Sequence, residues 1–154
     1  MINKNIKALL EAKEFVSVAS CDLEGRPNAA SKFLLRVEAK HIYLVDYIIG
    51  RTFRNVTVNP RVSISFFDTS TLMGYQINGR VQIIESGPEY QLALDELQRK
   101  EVDLSTTRII DGVIKGQAHK AYEVGVSKQF VVLKVEVEET VQMHPSGTLR
   151  REQV

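Results

Sequence analysis

The clearest signal in this chain is strict alternation of apolar and polar residues. Tyr75, Ile77, Gly79, Val81 and Ile83 fall on one side of an extended segment, and Gln76, Asn78, Arg80 and Gln82 on the other. A period of two belongs to a strand with one face in a core and the other turned away. Arg61 to Phe67 alternates likewise, with Val62, Ile64 and Phe66 opposite Ser63, Ser65 and Phe67. Phe130 to Val137 does the same, with Val131, Leu133, Val135 and Val137 on a single face.

Three further strands follow from composition and turn chemistry. Phe15 to Cys21 is rich in β-branched and small residues and runs into Asp22-Leu23-Glu24-Gly25-Arg26-Pro27. Gly25 accepts a positive φ and Pro27 restarts an extended chain, so Asn28 to Val37 folds back as the second arm of a hairpin. His41 to Asp46 follows after the polar corner Glu38-Ala39-Lys40.

Helical spacing is confined to short stretches. Ile6, Leu9, Leu10 and Lys13 make an amphipathic helix of residues 2–13. Arg51 to Val58 reads as one or two turns that Asn59-Pro60 ends, since proline cannot continue a helix. Gly87-Pro88 opens another helix through about Val102, with Tyr90, Leu94, Leu97 and Glu101 at three- and four-residue steps. Residues 103–126 carry no single pattern; a short helix over Thr107 to Ile114 and then a loop is the reading they allow. The polar tail from about Pro145 is expected to fray unless a partner holds it.

Six strands, hairpin-like connections and no βαβ unit predict a mainly β fold. The expected architecture is a six-stranded antiparallel split β-barrel of Greek-key type with short flanking helices, built as a single domain over residues 1–154.

Composition narrows the function classes. With 20 basic and 19 acidic residues the chain has a net charge of +1, without the basic excess of a nucleic-acid binder. No apolar run approaches the roughly 18 residues of a membrane span, and the first residues lack a signal-peptide core, so a cytoplasmic location is expected. Cys21 is the only cysteine. The histidines His41, His119 and His144 are far apart and suggest no metal site. Nucleophile-elbow, P-loop and zinc signatures are missing, and no catalytic residue can be named.

Candidate chemistry concentrates around Gly50-Arg51-Thr52. A glycine that lets the backbone approach, a guanidinium and a hydroxyl at a helix start suit a phosphate monoester. A capped surface helix with solvated arginines would show the same residues. The polar face of Gln76, Asn78 and Arg80 is similarly open: solvent, a cofactor edge or a second subunit would each produce it.

Taken together, the segments resemble the pyridoxamine 5′-phosphate oxidase-like FMN-binding split barrels. The ordered set is Asp22-Leu23-Glu24-Gly25-Arg26-Pro27, the Lys32 strand, Tyr43-Leu44-Val45-Asp46, Gly50-Arg51-Thr52-x-x-Asn55, Asn59-Pro60-Arg61-Val62-Ser63 and Gly74-Tyr75-Gln76-Ile77-Asn78-Gly79-Arg80-Val81. The resemblance implies a homodimer with FMN at the subunit interface. Lys32 then matches the strand flanking the flavin, Val45 and Asp46 pass beside the ribityl phosphate, and Arg51 and Thr52 grip it. Gln76 reaches the cofactor from the partner subunit, and Arg36 is an additional cation. The resemblance stops before the last third, and the chain has no tryptophan where true pyridoxamine phosphate oxidases carry one in their substrate motifs. It therefore implies a flavin-dependent oxidoreductase acting on another small molecule. The alternatives are an FMN carrier working with a redox partner protein, a barrel holding a deazaflavin or haem (with His119 or His144 as axial ligand), and a cofactor-free dimer.

Overall fold

The structure, a computed structural model, describes residues 1–115 and 129–154. Its strands are β1 (Phe15–Cys21), β2 (Pro27–Val37), β3 (His41–Asp46), β4 (Arg61–Asp68), β5 (Met73–Ile84), β6 (Val131–Met143) and β7 (Leu149–Gln153); its helices are α1 (Lys4–Glu11), α2 (Arg51–Val58) and α3 (Pro88–Ile114). The sheet order is β3-β2-β1-β4-β5-β6-β7, every pair being antiparallel, and β3 also pairs with β6. That extra pairing closes β1 to β6 into a six-stranded barrel, with β7 added alongside β6.

Each alternating strand buries the face its pattern predicts. Val18, Ile64, Ile77, Leu133 and Val135 meet inside the barrel. α1 adds Ile6 and Leu10 at the end where β2 leaves the barrel, and α2 adds Val56 at the end carrying the β1–β2 turn. A second cluster lies outside, where α3 presses Ala93 and Leu97 onto Phe33, Leu35, Val45 and Val132. Polar contacts clamp the start of this helix. Glu89 accepts from Tyr43 Oη at 3.0 Å and from Lys134 Nζ at 2.8 Å. The Lys134 ammonium beside it holds the Glu89 carboxyl below its ordinary range.

Two bulges shift the register. One, between Leu34 and Arg36, leaves Arg36 on the outer face, with its guanidinium 3.8 Å over the Tyr43 ring and paired to Glu38 and Glu96. The other falls between Asn78 and Gly79. Gly79 is obligatory there, because a Cβ would lie 2.2 Å from the Glu136 carbonyl oxygen.

Three elements differ from the sequence expectation. α3 continues unbroken to Ile114 instead of stopping near Val102, β6 extends to Met143, and the tail forms β7, stitched to β6 from Met143↔Leu149 to Glu139↔Gln153. The backbone of β6 supplies what the polar tail sequence cannot signal: a row of ladder hydrogen bonds.

Candidate functional site

Two surface pockets flank the β1–β2 turn, and the residues singled out above divide between them and the barrel interior. Lys32 and Asp46 belong to the interior. They share faces with Leu34 and Leu44, which point into the core. Lys32 Nζ donates to Asp46 Oδ1 at 2.7 Å, with side chains only 6% and 1% exposed. A desolvated charge persists only when paired, so each holds the other in place. The Ile48 amide donates to the same Asp46 oxygen at 3.1 Å and so sets the turn leading to α2. Asp46 Oδ2 is buried without a hydrogen-bond partner among the described residues.

Thr52 faces inward too. Its hydroxyl accepts from Asn28 Nδ2 at 3.0 Å, while Asn55 Nδ2 donates to Ser20 Oγ at 3.2 Å. α2 is therefore docked onto the β1–β2 hairpin by its polar face, which leaves Arg51 and Arg54 pointing outward. Val45 lies on the opposite side of β3 from Asp46, buried beneath α3.

Outside α2, Arg51 and Arg54 line a pocket of about 410 Å³ together with Asp22, Arg26, Asn55 and Val58. Arg26 is neutralised there by Asp22 at 2.7 Å and Glu24 at 3.0 Å. The Arg26 amide and guanidinium in turn hold the Asp22 carboxyl below its usual range. Arg51 and Arg54 have no side-chain partner among the described residues. The first turn of α2 starts at Gly50 without a side-chain cap, so its amides add to the positive potential.

Gln76 sits on the other side of the turn, on the outer sheet face, where its Nε2 donates to Ser63 Oγ at 2.9 Å and to Asn78 Oδ1 at 3.0 Å. Ser63 and Asn78 line the larger pocket, about 640 Å³, with Cys21, Pro27, Arg61, Gly79, Glu139 and others. Asn78 Nδ2 donates to Glu139 Oε2 at 2.7 Å; that hydrogen bond, and then Arg151, keep the Glu139 carboxyl below its ordinary range.

Among the expected residues the structure thus joins Lys32 to Asp46, sets Thr52 behind Arg51, and leaves Val45 and Gln76 elsewhere. Arg36 is turned away by the bulge. The sequence reading passed over Arg54, although its three-residue spacing from Arg51 places both on one helix face. It also passed over Arg61, which nothing but its place on β4 brings to a pocket. His144 is tied into the β6–β7 turn through Ser146 Oγ at 2.7 Å from its Nδ1, and His119 lies outside the described residues. Among the described residues no cluster of His, Cys, Asp and Glu could hold a metal ion.

Residues 2–144 match the family model described as pyridoxamine 5′-phosphate oxidase. Similar solved structures include HupZ of Group A Streptococcus, at 24% identity and TM-score 0.69 over 94% of this chain and 96% of that one. A pyridoxamine 5′-phosphate oxidase-related, FMN-binding protein of Nostoc punctiforme is similar at 12% identity and TM-score 0.54, over 92% and 86% of the two chains. HutZ, the heme storage protein of Vibrio cholerae, is similar at 18% identity and TM-score 0.61, over 89% and 90%. No curated protein sequence matches the chain.

Proposed function

This chain belongs to the pyridoxamine 5′-phosphate oxidase family, and we propose that it is an FMN-binding oxidoreductase of that family acting on a small molecule as a homodimer. The observation that carries this reading is the pair of guanidiniums, Arg51 and Arg54, that have no partner among the described residues and line the pocket outside α2. A phosphate monoester brings nearly two negative charges, which two guanidiniums and uncapped helix amides match. Lys32, Asp46 and Thr52 act from behind: the ion pair fixes the turn through Ile48, and the Thr52 hydroxyl pins α2 to Asn28, so that Arg51 is presented at a set position. Val45 anchors the same stretch from the α3 side.

Gln76 is on a different face from Arg51, on the far side of the β1–β2 turn, and its amide is ordered by Ser63 and Asn78. We assign it to the flavin of the partner subunit, which makes the site a shared one. When bound, the flavin supplies the hydride or electron chemistry, and the protein supplies position, charge and exclusion of water. No described helix is long and apolar enough to cross a membrane.

The test is the visible absorption spectrum of the purified protein, repeated after FMN addition and desalting. The expected result is a retained flavin spectrum at about one per subunit. A folded protein that retains none rejects the assignment. The likeness to HutZ, named for heme storage, supports a second reading, a haem barrel. That reading requires a Soret band lost when His119 and His144 are replaced.

A further inference from the structure

We propose that the 640 Å³ pocket on the outer face of β1, β4 and β5 is a subsite for a small organic carboxylate, gripped by Arg61. Only its role as the substrate subsite rests on the flavin reading above; the binding claim stands on the pocket alone.

Charge balance points to it. Elsewhere the arginines are engaged: Arg36 by Glu38 and Glu96, Arg80 by Glu138, Arg108 by Glu14, Arg150 by Glu152 and Arg151 by Glu139. Arg99 donates to the Asp95 carbonyl. The arginines whose guanidinium has neither a hydrogen bond nor an ion pair among the described residues are Arg51, Arg54 and Arg61, and all three line the two pockets beside the β1–β2 turn. These three guanidiniums therefore present unengaged positive charge to the two cavities, which is what an anion site requires.

The chemistry of the larger pocket selects the anion. Its two carboxylates are already matched, Glu138 by Arg80 at 3.5 Å and Glu139 by Arg151 at 3.1 Å and by Asn78. Arg61 is then its one uncompensated charge among the described lining residues, which suits a monoanion. A dianionic phosphate would face two nearby carboxylates with a single cation to offset them. The Ser63 hydroxyl accepts from Gln76, so its own proton is available to donate to the ligand. Ala19, Pro27 and the bare Gly79 backbone provide an apolar floor for a flat hydrocarbon body. The volume lies within the range of about 300–1,000 Å³ usual for small-molecule sites.

The probe is 4-fluorobenzoate, followed by fluorine NMR in a titration of the full-length protein, both with FMN added and without it. The neutral analogue 4-fluorobenzamide serves as control. Arg61→Gln should weaken the carboxylate about tenfold or more and leave the amide unchanged. Arg61→Lys, which keeps the charge but not the planar fork, should fall between. Arg61 is exposed, so neither variant threatens the fold, and circular dichroism verifies this. Equal carboxylate binding by wild type and Arg61→Gln overturns the inference, as does no saturable binding to wild type. Arg61-dependent binding in a protein that retains no FMN would sustain this site while removing the flavin reading. FMN retention without any Arg61 effect would do the reverse.

Discussion

Replacing Lys32 by Met leaves the Asp46 carboxylate buried with no countercharge. The pair is 2.7 Å apart and almost fully enclosed, so Asp46 can recover neither solvent nor a second cation. Breaking such a pair from one side costs about 3–5 kcal/mol. That is a large share of the roughly 5–15 kcal/mol that holds a domain folded. With a urea m-value of about 2 kcal/mol per M, the unfolding midpoint should fall by about 2 M. Asp46→Leu should cost a similar amount, because it strands the Lys32 ammonium. The double variant tells whether desolvated charge is the cause. Lys32→Met with Asp46→Leu puts two apolar groups where the pair was, and buried ion pairs replaced in this way are often neutral or better. It should regain most of the loss, short by about 1 kcal/mol for the hydrogen bond from the Ile48 amide. The assay is equilibrium urea unfolding of all four proteins, read by far-UV circular dichroism. A double variant whose loss equals the sum of the two single losses would refute the reasoning, and so would single losses below 1 kcal/mol.

Arg51→Ala should weaken FMN by about 1.5–3 kcal/mol, roughly 10- to 150-fold, through loss of a charge-assisted contact to phosphate; quenching of flavin fluorescence measures it, and unchanged affinity would place the phosphate elsewhere. Gly79→Ala forces a Cβ to 2.2 Å from a backbone oxygen that cannot swing aside. A cost of about 1–3 kcal/mol, several degrees in the thermal midpoint, is expected, and an unshifted melt would contradict it. Glu89 titrates below its ordinary value of 4.5 in the folded protein, held down first by the hydrogen bond from Lys134. Its contribution to stability is therefore present above 4.5 and lost as the pH falls through the lower folded value. Glu89→Gln should be less stable than wild type at pH 7, and the gap should shrink as the pH is lowered below 4.5, in urea midpoints taken across that range; a gap that does not narrow in acid would rule this out.

The barrel was legible because its strands carry the period-two pattern in full. Val62, Ile64, Ile77, Val81, Leu133 and Val135 are all buried as their alternation requires. β7 was not legible, because Leu149-Arg150-Arg151-Glu152-Gln153 has no apolar face to show. Its pairing comes from the β6 backbone, which sequence does not display. The end of α3 escaped for the opposite reason. Ile109, Ile110, Val113 and Ile114 are apolar yet exposed, so they follow no amphipathic period. At the candidate site, residue types were readable but directions were not. The direction of Lys32 and Asp46 depends on strand phase, that of Thr52 on how α2 docks, and that of Arg36 on a bulge that local sequence does not announce.

The seam that closes the barrel also governs how the chain must fold. Ile42 pairs with Val135 and Leu44 with Leu133, so nearly the whole sequence has to be made before β3 meets its second neighbour. Local hairpins such as β1–β2 and β4–β5 can zip early, whereas this closure has a high contact order and belongs to the slow end of folding. Until it happens, the edge of β3 shows unpaired amides and carbonyls beside Ile42 and Leu44, a surface on which another unfinished chain can pair. Refolding yield should therefore fall as protein concentration rises, even though the finished barrel hides that edge completely.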